Sequence, residues 1–165
     1  MIEGATVRGR GGSVVGDRVL LVQNLRDNGT ADWTPPGGVV DEGEMLLDGL
    51  AREVTEETGL VVTGWSGLLY EIRTIAPDLG WDLRVEVHRA AAVRGDVSVG
   101  DDPDGIVIGS TWAASGECER LLGDAHPWVR EPLVDWLRER WAAPRRYRHR
   151  IDGTSIEDFR VTRTS

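Results

Sequence analysis

Three carboxylates, Glu53, Glu56 and Glu57, stand at i, i+3 and i+4 in a segment whose apolar residues repeat with helical spacing. Residues at those intervals share one side of a helix. Like charges this close repel one another and are easily tolerated only in water or around cations. An oxygen-only donor set of high negative charge suits hard divalent ions such as Mg2+ or Mn2+. An acidic helix face is most often simply solvated, yet more surrounds these acids than a solvated face requires. Arg52 directly precedes Glu53, and its permanently charged fork can hold one carboxylate in place. Pro36-Gly37-Gly38 makes a tight loop where backbone can approach a ligand closely. Glu44 lies on the connection from that loop to the acids.

The elements that position these groups follow from periodicity. Leu47, Leu50, Ala51 and Val54 give one apolar face to a helix predicted over residues 45–58, with Gly59 as its stop. Gly49 inside that helix costs ~1 kcal/mol relative to alanine and is read as permitting close packing on a strand. Residues 5–15 read as a glycine-broken strand that forms a hairpin with residues 18–23. Further strand patterns cover 60–62, 67–75, 82–93 and 106–112, with an acidic glycine-rich loop over 95–105. An amphipathic helix is expected over 127–141, with Pro132 delaying its regular part until near Glu131. Residues 142–165 turn basic and polar, so the expected division is a domain over 1–141 and a basic C-terminal tail or arm over 142–165.

Read from Gly38, the chain runs through five residues to Glu44, seven more to Arg52, and then Glu53-Val54-Thr55-Glu56-Glu57-Thr58-Gly59-Leu60. This resembles the Nudix box, Gly-x5-Glu-x7-Arg-Glu-U-x-Glu-Glu-x-Gly-U with U aliphatic, at every defining position. At average residue frequencies the odds of a chance match are far below about one in a million. Trp33-x-x-Pro36-Gly37-Gly38 resembles the family's usual lead-in. The resemblance implies an α/β fold, a Nudix-type alpha/beta/alpha sandwich with a mixed sheet and the box as a loop-helix-loop.

It also implies a hydrolase of a nucleoside diphosphate linked to another moiety, dependent on Mg2+ or Mn2+, with water attacking phosphorus. Carried over by position, Glu56 and Glu57 are metal ligands, Glu53 a ligand or the base, and the Gly37 carbonyl a further ligand. Glu44 is an outer or second-metal ligand, and Arg52 orients Glu53. Gly37, Gly38 and Trp33 are the expected nucleotide-side contacts. A base outside the box is sought among Asp101, Asp102, Asp104 and Glu86, with Asp104 favoured. Pro77, 17 residues after Leu60, sits where ADP-ribose hydrolysing members carry a marker proline, although a lone proline is usually a turn. ADP-ribose or nucleotide-sugar substrates are therefore ranked first. The alternatives are a (d)NTP pyrophosphohydrolase of the MutT house-cleaning type and a catalytically silent nucleotide-binding module. Diphosphate-isomerase chemistry would need a catalytic cysteine, and Cys118 is out of order for it.

Composition narrows the partners. With 19 basic and 28 acidic residues the net charge is −9, which repels nucleic acid and anionic membranes. All the basic residues are arginine, so no lysine nucleophile or P-loop lysine exists. No apolar run approaches a membrane span and no basic-then-apolar leader begins the chain, so a cytoplasmic location is expected. The run from Arg145 to Arg150 is read as an arm packing on an acidic surface, with a homodimer as one setting. Tyr70 and Trp81, like Trp33, could stack on a base but more often such residues pack. His88, His126 and His149 show no metal-like or triad-like spacing, and Cys118 reads as a structural thiol.

Overall fold

The computed structural model describes residues 4–7, 18–100 and 102–165. Strands β1 (Gly4–Val7), β2 (Val19–Leu25) and β3 (Ala31–Thr34) precede helix α1 (Leu46–Thr58). A long hairpin follows, β4 (Val61–Ala76) and β5 (Trp81–Arg94), then β6 (Val107–Ala113), α2 (Ser115–Leu121), α3 (Pro127–Glu139), β7 (Arg145–Asp152) and β8 (Arg160–Arg163). One sheet is mixed, in the order β1-β5-β4-β7-β8, and a second, β3-β2-β6, is antiparallel. Among the described residues no helix is long and apolar enough to cross a membrane.

Strand β2 shows how the layers form. Val19, Leu20, Leu21 and Val22 are all fully buried, which requires cover on both faces. Leu20 packs with Leu50 and Val54 of α1, and with Leu60 and Ala90. Val19 and Leu21 face a larger cluster with Cys118 of α2, Leu133 and Leu137 of α3, Ile72 of β4 and Tyr147 of β7. The helices thus flank the sheets on opposite sides, as an alpha/beta/alpha sandwich requires.

Helix α1 begins after Met45 and ends at Gly59, whose φ of 72° is left-handed. A side chain there would also crowd Ser98, whose backbone N–H donates to the Thr58 carbonyl at 2.8 Å. That bond ties the 95–105 loop to the C-terminal end of α1.

Three expectations are corrected. β1 pairs parallel with β5, while β2 pairs with β3 and β6, so the first two strands are not a hairpin; residues 8–17 lie outside the described set. Helix α3 starts at Pro127 and continues through Pro132, because a proline at the first helical position is free of the missing-donor penalty and α3 gains its stability from burying Trp128, Leu133, Trp136 and Leu137. The segment after residue 141 is not a tail outside the domain. β7 runs parallel to β4, Tyr70 beside Arg145 through Ile75 beside Arg150, and β8 pairs with β7. Tyr147, His149 and Ile151 alternate inward and are buried, which the density of arginine between them concealed. The Tyr147 hydroxyl donates to Asp135 of α3 at 3.1 Å, and the Trp141 indole N–H donates to the Leu69 carbonyl at 2.8 Å.

Candidate active site

The apolar face of α1 (Leu50, Val54) is pressed on the core, which turns its acidic side toward the loop after β3. Arg52 is the hub of that side. Its Nε and one terminal nitrogen donate to both oxygens of Glu44 at 3.1 Å each. Its other terminal nitrogen donates to Glu53 at 2.8 Å and to Glu56 at 3.0 Å. Asp41 lies 3.8 Å from the same guanidinium. One cation therefore gathers Glu44, Glu53 and Glu56, and the two-point grip on Glu44 pulls that carboxyl below its ordinary range.

Glu57 turns the other way. Its carboxylate accepts the Gly37 backbone N–H at 2.8 Å, and Gly37 has the left-handed φ of 149°. Burial dominates and pushes the Glu57 carboxyl up to about 8, against the Gly37 hydrogen bond, with Glu53 and Asp102 adding repulsion. Glu53 is raised too, first by burial, with Arg52 opposing and Glu56 and Asp104 adding to the rise. Gly38 presses on Glu53: a Cβ there would fall 2.2 Å from its Oε2. The loop glycines expected to meet a ligand thus stand directly against two of the acids.

The structure brings together Glu44, Arg52, Glu53, Glu56, Glu57, Gly37 and Gly38. Of the acids outside the box, Asp102 and Asp104 belong to this neighbourhood. The Asp102 carboxylate is engaged in its own loop, accepting from the N–H groups of Asp104, Ile106 and Val107. Asp104 is exposed, and no hydrogen bond to its side chain is seen among the described residues. Asp101 is outside the described set. Glu86 sits elsewhere, 2.8 Å from His88 Nε2 on β5. Trp33 packs against the larger core, Tyr70 is buried there, and Trp81 packs edge-on against Phe159. Pro77 opens the short turn between β4 and β5. Gly49, read from the sequence as permitting close packing on a strand, belongs to the site instead. A Cβ on it would fall 2.7 Å from Glu44 Oε2 and 2.9 Å from Val40, so its neighbour is the carboxylate Arg52 holds, not a strand. The signal was its helix-interior cost.

Among the described residues, no three Asp, Glu, His or Cys side chains are gathered closely enough to enclose an ion. The donor chemistry nevertheless fits a hard cation: every donor is oxygen, and Glu57 is a desolvated carboxyl whose charged form lacks a cationic partner.

A model of the NUDIX domain matches residues 6–137. Nudix hydrolase 6 of Arabidopsis thaliana is 50% identical over 44 residues, 26% of this chain and 16% of that protein. Oxidized purine nucleoside triphosphate hydrolase of Mus musculus is 49% identical over 45 residues, 27% of this chain and 29% of that protein. These matches span under a third of either curated relative. The crystal structure of a MutT NUDIX hydrolase from Burkholderia pseudomallei superposes with a TM-score of 0.63 at 25% identity, covering 80% of this chain and 93% of that one. With the fold, the filled motif and a family match over most of its length, the chain belongs to the NUDIX domain family.

Proposed function

We propose that this protein is a divalent-metal-dependent pyrophosphohydrolase that splits a phosphoanhydride bond in a nucleotide by attack of water on phosphorus. The observation that carries the reading is that Glu57 and Glu53 stand against the Gly37 and Gly38 backbone, while Arg52 holds Glu53 and Glu56 on the same helix. Glu56 and Glu57, with Glu53 and the Gly37 carbonyl, would hold the ion, for which Mg2+ is the first choice and Mn2+ the second. When bound, such an ion neutralises the diphosphate and makes phosphorus electrophilic. Arg52 keeps Glu53 oriented and, through Glu44, fixes the approach of the loop to the helix. Glu53 or Asp104 takes the proton of the attacking water, and the second phosphoryl group departs with the bond electrons. Asp104 is the stronger candidate outside the box, since its charge acts on Glu53 and, among the described residues, no side-chain hydrogen bond restrains it.

Nucleoside triphosphates now rank level with ADP-ribose as substrates. Pro77, the residue favouring ADP-ribose, has a turn to form, and its neighbour Asp78 accepts the Gly153 N–H at 2.9 Å. The mouse relative's name also points to purine triphosphates. The test is a substrate panel with Mg2+, including ADP-ribose, nucleotide sugars, dinucleoside polyphosphates and normal and oxidised dNTPs, resolved by chromatography. Glu56→Gln and Glu57→Gln should each abolish turnover of whichever substrate is cleaved. Saturable nucleotide binding without any turnover would identify a silent binding module instead.

A further inference from the structure

On the mixed sheet, the face that runs under α1 at Ala90 carries, at its uncovered end, a feature the hydrolase reading does not use. Arg73 on β4 is the cross-strand partner of Arg84 on β5 and of Arg148 on β7. Three arginines therefore stand side by side across three adjacent strands, a row spanning about 10 Å at ordinary strand spacing. Like charges directly opposite one another are destabilising. The carboxylates nearby relieve little of this. Arg73 is paired with Asp82, and in the next row Arg146 is paired with Glu71 while Glu86 hydrogen-bonds His88. Among the described residues no carboxylate lies within ion-pair distance of the Arg84 or Arg148 guanidinium; Asp82, bonded to Arg73, acts on Arg84 only at longer range. All three arginines line one open cleft of about 350 Å³, together with Arg146 and the already engaged Glu71 and Glu86. An adjoining cleft of about 230 Å³ shares Arg73 and Arg148 and adds Arg150.

The site is separate from the carboxylate cluster, none of whose members lines either cleft. Arg84 shares a face of β5 with Ala90, which packs under α1, but six residues of strand put it about 20 Å away.

We infer that the row Arg84–Arg73–Arg148 binds a small phosphate-bearing anion with two adjacent phosphoryl groups. Planar guanidinium forks match phosphoryl oxygens two by two, and the cleft is of small-ligand size. A two-phosphoryl anion can engage neighbouring arginines at once and offset the repulsion within the row. A second copy of the chain docked by this face would set arginine against arginine across a two-fold axis. A nucleic-acid strand would extend past the row onto a molecule of net charge −9, whereas a compact anion meets only the local positive field, since distant charges are screened.

The test uses the full chain with EDTA, titrated with sodium pyrophosphate against sodium chloride of equal ionic strength and read by thermal unfolding and calorimetry. Wild type and Glu56→Gln should both be stabilised by about 2–3 °C at saturation. Arg84→Gln/Arg148→Gln should lose that response, with affinity falling at least about tenfold. Its melting temperature in chloride should equal or exceed that of wild type, because the repulsion is gone; this shows that the variant folds. Three results would overturn the inference: no response in wild type, an undiminished response in the double variant, or a response clearly changed by Glu56→Gln, which frees Arg52 of one carboxylate and would place the anion at the box. In the first case, tight binding of single-stranded DNA would assign the row to nucleic acid instead. Each outcome leaves the hydrolase reading untouched, since that reading stands on turnover with Mg2+.

Discussion

The Glu44 carboxylate occupies the space that a methyl group on Gly49 would need, 2.7 Å from the position of its Cβ. Glycine in mid-helix is unfavourable, and an open position would gain about 1 kcal/mol from Gly→Ala. Here the gain is opposed by a clash with a side chain that Arg52 grips at two points. Gly49→Ala is therefore expected to show no gain in melting temperature and a fall in turnover of about tenfold or more, as Glu44 is displaced and Arg52 with it. Thermal unfolding and steady-state kinetics check this. A variant that is a few degrees more stable and fully active would show that the Glu44–Arg52 grip does not matter.

Arg52 offsets the charge of Glu44, Glu53 and Glu56 at once. Arg52→Lys keeps the charge but replaces the fork with a point donor, which cannot hold Glu44 at two points and Glu53 and Glu56 as well. Turnover should fall at least about a hundredfold. In EDTA the Arg52→Ala protein should unfold at lower temperature than wild type, and Mg2+ should restore more of its stability than it adds to wild type, because the ion takes over part of the neutralisation. Equal Mg2+ responses in the two proteins would separate Arg52 from the metal site.

The box was legible in the sequence because its geometry is local. Helical spacing alone puts Glu53, Glu56 and Glu57 on one side, and Gly59 ends the helix where the pattern stops. The Glu57–Gly37 hydrogen bond and the nearness of Asp104 to Glu53 depend on two loops meeting, which no short-range pattern encodes. The C-terminal strands failed for a different reason. In Arg-Tyr-Arg-His-Arg-Ile the inward residues are a tyrosine, a histidine and one isoleucine, so the two-residue alternation is carried by amphipathic side chains and hidden by the arginines. Parallel pairing with β4, 75 residues earlier at Arg146 and Glu71, leaves no turn signal to announce it.

Burial leaves the metal-free Glu57 carboxyl raised to about 8 from an ordinary 4.5. A raised carboxyl stabilises the fold while it holds its proton. Its contribution is fully present below about pH 4.5 and is lost as pH rises through about 8. In EDTA, wild type should therefore lose stability relative to Glu57→Gln across this window. The amide variant should match wild type near the acid end and exceed it by a few degrees above the upper limit. Mg2+ should reverse the order at high pH by stabilising wild type only. Parallel melting curves for the two proteins at all pH values would mean that Glu57 is solvated and ionised throughout.

Residues 145–152 close the sheet over α3, so their removal should unfold the protein rather than trim it. Tyr147 is 2% exposed, lies edge-on to Tyr70 at 6.0 Å between ring centroids, and hydrogen-bonds Asp135. Tyr147→Ala removes a core ring and should cost about 3–5 kcal/mol, whereas Tyr147→Phe loses only the hydroxyl bond, about 1 kcal/mol. Both are measurable by urea unfolding. A chain ending at residue 143 leaves the β7 side of Tyr70 and Ile72 uncovered and strips β4 of its parallel neighbour, so it should show no cooperative transition. A truncated chain that unfolds cooperatively with near-native stability would restore the view of this segment as an appendage, and would require Tyr147→Ala to be close to neutral as well.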